Sequence, residues 1–283
     1  MTPMHWVIVV NNKLRGYLAM IGVLTTWGSS YSISKVAMYY MSPFVLTMYR
    51  FAIGGLVLAL VGRGLVINRK YVINALLNSA LFVVFLNIAI QYSTNPALVS
   101  VLVYTQPIFV LILSIALYHE KPRTLQVIGI ALAFTGLLIA VGVYSFDIGD
   151  AIAILGAFVW ALGTHYYRRN LVNEDLIKLN ASMAIISALI ASPTLIINPY
   201  MSPSISAVAW GVLVALVAQV AGFLLWFLGV KDLGPITASS ISILVPASAY
   251  VFALLILGKV PTMTEIIGSA IALVGVLLAQ LRT

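Results

Sequence analysis

Apolar residues in this chain fall into ten long stretches separated by short polar breaks. A helix needs roughly 20 apolar residues to cross a bilayer. Stretches of that length occupy residues 16–38, 43–62, 71–91, 96–118, 124–143, 149–169, 178–198, 206–229, 235–257 and 262–281. Proline marks many of the breaks: Ser42-Pro43, Asn95-Pro96, Lys121-Pro122, Asn198-Pro199, Gly234-Pro235 and Val260-Pro261. Such pairs start helices or make turns. The pattern predicts an all-α polytopic membrane protein with ten transmembrane helices.

Basic residues then set the orientation. Lys13 and Arg15 precede the first span. Arg63, Arg69, Lys70, Lys121, Arg123, Arg168, Arg169, Lys178 and Lys231 fall in the even loops, and Arg282 follows the last span. The odd loops hold Lys259 alone, a ratio of twelve to one. Cytoplasmic loops carry the excess of Lys and Arg, so both termini are expected in the cytoplasm.

A repeat runs through the same pattern. Shifted by 139 residues without gaps, segment 96–140 lands on 235–279. Pro96 meets Pro235, Ser100 meets Ser239, Pro107 meets Pro246 and Pro122 meets Pro261. Gly129, Ala133 and Gly136 meet Gly268, Ala272 and Gly275. Each half holds five helices, an odd number, so the copies insert in opposite senses. The expected domains are residues 1–146 and 147–283, two inverted five-helix repeats forming one membrane domain. Such repeats mark many secondary transporters.

Composition narrows the function classes. Of 283 residues, 62% are hydrophobic and 8% charged, against roughly 25% charged in soluble domains. There is no room for a soluble catalytic domain. The first apolar run, residues 6–10, is too short for a signal peptide. A net charge of +8 reads as loop orientation rather than as nucleic-acid binding. With zero cysteines, disulfides, thiol catalysis and Cys-ligated metal are excluded. No Walker motif, His-Glu-x-x-His run or membrane Asp pair occurs, so the chain is read as a non-enzyme without cofactor or metal.

Trp27-Gly28-Ser29-Ser30, Tyr49-Arg50-Phe51, Pro96 with Pro107, and the run from Leu117 to Pro122 followed by Gly129 and Gly136 carry a resemblance. Trp160, Gly234-Pro235, Pro246, Gly268 and Gly275 repeat it in the second half. With these features the chain resembles the EamA-type members of the drug/metabolite transporter superfamily. The resemblance implies ten helices and export of small metabolites, amino acids or similar amphipathic compounds. One departure stands out: Glu120 ends the fourth helix, but Lys259 ends the ninth.

Several residues could line a substrate cavity. Ser100, Tyr104, Pro107, Ser114 and Tyr118 share a face of the fourth helix, and Ser239, Ser242, Pro246 and Tyr250 share one of the ninth. Either set could equally serve helix packing. Pro107 and Pro246 weaken their helices at matching positions, as gating or structural elements. Trp27, Tyr31, Ser34 and Lys35 share a face of the first helix. Trp160, Thr164 and Arg168 match Trp27, Tyr31 and Lys35 at an offset of 133. The two tryptophans lie too deep for the interfacial belt and could stack on substrate, while Lys35 and Arg168 read as snorkelling.

Arg50 lies inside the second helix and needs partners. It could meet a substrate carboxylate, or bond helix-end carbonyls structurally. Asn87 and Gln91 sit one turn apart in the third helix, roughly opposite Asn74 and Asn78. Gln219 is central in the eighth helix and counts onto one face with Trp226. Gln106 reads as an interhelical bonder and His165 as interfacial. The small-residue faces of the fifth and tenth helices read as scaffold, in a monomer or in a homodimer through those helices.

The sequence thus predicts a secondary transporter of the cytoplasmic membrane that works by alternating access, its partners a small-molecule metabolite and membrane lipid. Two other classes stay open: a non-transporting sensor or assembly subunit, and a lipid-handling membrane protein. All seven acids fall in loops or at helix ends, so no carboxylate is expected at mid-membrane, where ion coupling usually needs one.

Overall fold

The computed structural model describes residues 3–93, 96–142 and 146–281. Side chains of residues 3–11, 90, 91, 96, 97 and 100 fall outside that description, as do Asn95 and Arg282, so the Gln91 and Ser100 side chains are not placed.

Ten helical rods make up the described chain. Helix α1 is Pro3–Ala37, α2 Pro43–Val61, α5 Thr124–Val141, α6 Ile148–Asn170 and α10 Met263–Gln280. The other five are irregular. Helix α3 joins Arg69–Ala75 to Leu81–Tyr92 through a π turn, Leu76–Ala80. Helix α8 joins Ile205–Val214 to Gly222–Leu233 through another, Ala215–Ala221. In α4, Pro96–Leu102 and Gln106–Tyr118 flank a 3₁₀ turn, Val103–Thr105. Helix α9 breaks between Pro235–Ser242 and Val245–Leu257, and α7, Leu176–Ala191, ends in a 3₁₀ turn, Ser192–Ile196.

Eight of the rods are long and apolar enough to cross a membrane outright. The apolar part of α4 after its break is shorter. Helix α1 has the length, but Thr25, Thr26, Ser29, Ser30, Ser32 and Ser34 dilute its apolar character. It also begins at Pro3, well before the predicted residue 16, because residues 4–15 hold no Gly or Pro to stop it.

The irregularities obey the repeat. The π turns begin 139 residues apart, at Leu76 and Ala215. Pro107 follows the break around Tyr104, whose φ and ψ are −85° and 16°, and Pro246 follows the one at Ile243 and Leu244. A proline cannot donate to the carbonyl four residues back and its ring crowds that turn, so each helix gives way just before it. The halves are inverted copies, each of five helices.

Helices α5 and α10 pack face to face through their small residues. A Cβ on Gly136 would lie 2.5 Å from the Ala272 nitrogen and 2.6 Å from the Gly268 oxygen. One on Gly129 would lie 2.5 Å from the Ala279 nitrogen and the Gly275 oxygen. Those neighbours are backbone, so any side chain here must push the helices apart. Gly136→Leu is therefore expected to cost about 1–3 kcal/mol, read as a lower melting temperature in detergent. Ile139→Ala, on the exposed side of α5, serves as the control. Equal melting of both variants would show that close approach does not hold this pair together.

At one end of the bundle the α1–α2 and α7–α8 connections are stitched. Ser42 N donates to Tyr200 O at 2.9 Å, Ser202 N to Tyr40 O at 2.6 Å, and Ser42 Oγ to Asn198 O at 2.6 Å. The core between the halves is aromatic: Phe51, Tyr167, Phe223, Trp226 and Phe227 are fully buried.

Candidate functional site

A cavity of about 430 Å³ lies between the two halves, with the broken turn of α4 on its wall. That size fits a small-molecule site. Its wall is built mostly by α1 to α4, with Trp160, Val214 and Phe223 from the second half. On α1, the face Trp27, Ser30, Tyr31, Ser34 and Lys35, spaced at i, i+3, i+4, i+7 and i+8, turns inward. Helix α2 contributes Leu46, Thr47 and Arg50, and α3 contributes Phe82, Val83, Leu86 and Asn87. Tyr104 enters from the broken turn of α4.

Aromatic rings form its inner end. Trp27 meets Trp160 edge-on at 5.7 Å and Phe223 at 5.4 Å; Trp160 stacks on Phe82 at 5.0 Å, and Tyr104 stands edge-on to Trp160 at 6.3 Å. The π turn in α8 helps set this arrangement, because Trp27 Nε1 donates to Ala218 O at 3.1 Å. Gly222 leaves room for that indole, since a Cβ there would strike Trp27 Nε1.

Arg50 is the charge at the centre. Its Nε donates to Gln219 Oε1 at 3.3 Å, and its guanidinium lies 5.7 Å from the Phe223 ring centre. The Tyr31 and Tyr104 hydroxyls face each other beside it. Asn87 Nδ2 donates to Thr47 Oγ1 at 3.1 Å. Lys35 stands nearer the mouth, about 12 Å along the helix from Trp27. Among the described residues, no carboxylate lines the cavity.

Lys35, Met38 and Pro43 sit at the end of α1 and the start of α2, so the cavity reaches that end of the bundle. The opposite end is shut. Tyr167 Oη donates to Phe227 O at 3.1 Å, their rings 4.4 Å apart, and Arg168 Nη1 donates to Lys231 O at 2.6 Å. Arg15 forms a double hydrogen bond with Asp232, both at 2.8 Å.

Of the sequence candidates, Trp27, Tyr31, Arg50, Asn87, Tyr104 and Trp160 come together on this wall. Lys35 lines it too. Gln219, Ser242 and Tyr250 do not. Gln219 is fully buried behind Arg50. Ser242 is fully buried and donates to Ser239 O in its own helix. Tyr250 lies on α9 beyond the break, where Ser248 Oγ donates to Leu24 O and holds α9 against α1. The shift of 139 explains the mismatch: it pairs Tyr104 with Ile243 and Tyr250 with Leu111, so the two tyrosines are not counterparts. His165 is a further correction. It is 2% exposed rather than interfacial, its Nε2 lying 3.0 Å from Val110 O and its ring 4.8 Å from Tyr118. Gln106 does bond between helices, its Nε2 donating to Thr164 Oγ1 at 3.0 Å.

Sequence reasoning missed Thr47, Phe82 and Phe223. Thr47 could have been found, since it lies one turn before Arg50 on the same face. Phe223 could not, because the π turn just before it shifts the face of every later residue.

Comparisons with known proteins bear on what this cavity does. The model of the EamA-like transporter family matches twice, over residues 14–142 and 147–281. A transporter of Bacillus subtilis, itself uncharacterised, is 29% identical over 70% of this chain and 67% of its own length. A protein of Salmonella typhimurium named a probable amino-acid metabolite efflux pump is 24% identical over 92% of both chains. One solved crystal structure has a TM-score of 0.80 at 19% identity, covering 94% of this chain and 96% of its own. That likeness shows the fold.

Proposed function

This chain belongs to the EamA-like transporter family, and from that premise we propose that it exports small organic metabolites across the cytoplasmic membrane by alternating access. The observation that carries the reading is the cavity itself: central, open at one end and shut at the other. A sensor or assembly subunit would need no such chamber. Amphipathic cargo, amino acids among it, suits a wall of aromatic rings interrupted by hydroxyl, amide and guanidinium groups. The Salmonella relative, named a probable amino-acid metabolite efflux pump, supports the same class.

Trp27, Tyr31, Arg50, Asn87, Tyr104 and Trp160 are the residues we assign to substrate contact or its framing. Pro107 and Pro246 keep their helices breakable. We divide the chain into repeats 1–146 and 147–283 acting as one membrane domain. The small-residue faces of α5 and α10 are taken up within one chain, which supports a monomer.

The test is substrate counterflow in proteoliposomes loaded with a panel of amino acids and related metabolites. Exchange is expected without an imposed proton or sodium gradient, because every acid in the sequence falls in a loop or at a helix end. A chain that exchanges no member of the panel, or moves cargo uphill on an ion gradient alone, would contradict this mechanism.

Orientation has its own measurement. The loop charges predict that the closed end faces the cytoplasm. Single cysteines introduced into this Cys-free chain at Ser202 and at Arg63 are expected to label from outside and from inside respectively. The reverse pattern would invert the proposed topology.

A further inference from the structure

Seven acids against fifteen basic residues leave cations in excess, and where the acids are spent decides which cations go unmatched. Asp232 pairs with Arg15, and Glu120 with Arg169. Glu174 accepts from the Tyr71 hydroxyl. Asp147 and Asp150 cap α6, Asp175 caps α7, and Glu265 caps α10. All seven are thus engaged away from the cavity. Arg50 and Lys35 face it with no carboxylate beside them among the described residues. What Arg50 does hold is neutral: an amide oxygen and a ring face. A guanidinium placed inside a membrane helix is costly unless its charge is answered.

We propose that the cavity takes organic anions: compounds with an aromatic or aliphatic body, one carboxylate, and no ammonium group. The inference rests on the transport reading above and narrows its cargo. Arg50 is the anchor, since a guanidinium presents a planar fork suited to both carboxylate oxygens. Tyr31 and Tyr104 hydroxyls stand beside it as further donors. Lys35, at the mouth, draws anions inward through a low-dielectric passage. Trp27, Phe82 and Trp160 then offer ring surface for the body. An ammonium group would find only neutral partners here: ring faces, the Asn87 amide oxygen and hydroxyls. The Ser30 and Thr47 hydroxyls are already engaged, Ser30 Oγ donating to Trp27 O and Thr47 Oγ1 donating to Pro43 O while accepting from Asn87, and neither carries a charge to answer an ammonium. A zwitterion would leave its positive end near two cations, and a cation would set the attraction of ring faces against the repulsion of Arg50 and Lys35.

Three compounds sharing one indole ring isolate the charge: indole-3-propionate, tryptophan and tryptamine. Binding is measured by isothermal titration on the full chain in phosphatidylcholine nanodiscs, and flux by counterflow in vesicles of the same lipid. Indole-3-propionate is expected to bind roughly 10- to 100-fold more tightly than tryptamine, the scale of one charge-assisted hydrogen bond. Tryptophan should fall between them. Arg50→Gln is expected to remove most of the anion's advantage, Arg50→Lys to keep part of it, and Lys35→Gln to weaken anion binding less. Melting temperatures accompany each titration. If Arg50→Gln does not fold, Arg50→Lys and Tyr104→Phe carry the comparison. Tryptophan or tryptamine binding as tightly as the propionate would overturn the proposal. So would absence of propionate binding, or a folded Arg50→Gln with unchanged affinity for it. Tight anion binding without flux would count against the transport reading and leave the anion site standing. Preferred flux of tryptophan would do the opposite.

Discussion

Replacing Trp160 with alanine is expected to cost about 3–5 kcal/mol of stability, besides abolishing transport. On the sequence alone this residue looks like a substrate platform whose loss would spare the fold. Its surroundings argue otherwise. Trp160 is 2% exposed and touches Trp27, Phe82, Tyr104 and Trp226 with ring separations between 5.0 and 6.3 Å. Truncation would open a void where four rings meet. Tyr31 is the informative contrast, at 41% exposed on the same cavity. Tyr31→Ala should stay within about 0.5 kcal/mol of wild type and still impair transport. Both are measured as melting in detergent beside counterflow in vesicles. If Trp160→Ala melts like wild type while losing transport, the indole acts through substrate contact and not through packing. Arg50→Ala should fall between the two, because it removes a cation that lacks a counter-charge but leaves the fully buried Gln219 Oε1 without its donor.

The ten spans and the inversion were legible because they rest on coarse signals: apolar length, proline breaks and a gapless repeat. Cavity residues on α1 were legible for a related reason. That helix is regular from Trp27 to Lys35, so counting by 3.6 residues per turn put Trp27, Tyr31 and Lys35 on one face. The same counting failed on α8, where the π turn Ala215–Ala221 intervenes. Gln219 and Trp226 counted onto one shared face. Instead Gln219 sits behind Arg50, and Trp226 joins the rings around Trp160. The tyrosines of α4 and α9 failed for a different reason. Their polar stripes look alike, but the repeat does not superpose them. Symmetry predicts which positions correspond, while the structure is open at one end and shut at the other. Corresponding positions therefore sit in different surroundings.

That asymmetry leads to the second large effect. Cross-linking α6 to α8 at the closed end is expected to stop transport completely. Arg168 is bonded to the Lys231 carbonyl there. Its counterpart at an offset of 133 is Lys35, and that of Lys231 at 139 is Tyr92. Both counterparts lie at the mouth end and are exposed, Tyr92 at 60%. Fully buried Tyr167 and Phe227 likewise correspond to Ser34 and Ile88, which are half-buried. In an inverted repeat, exchanging the conformations of the halves exchanges these surroundings. The closed contact between α6 and α8 must then part as the mouth shuts. Other contacts need not move. Gly16 packs on Asp232 and Leu233, and its counterpart Gly149 packs equally tightly on Ala89 and Ser93. The close approach of α1 to α8 at Gly16 thus has a match at the other end, although the Arg15–Asp232 pair itself does not, its counterparts being Ile148 and Ser93. Cysteines at Arg168 and Lys231, joined by a short bismaleimide, should abolish counterflow and leave substrate binding in detergent intact. The same bridge between cysteines at Arg15 and Asp232, in place of their ion pair, should leave transport largely unchanged. A linked Arg168–Lys231 variant that transports at the unlinked rate would show that this end stays closed throughout the cycle.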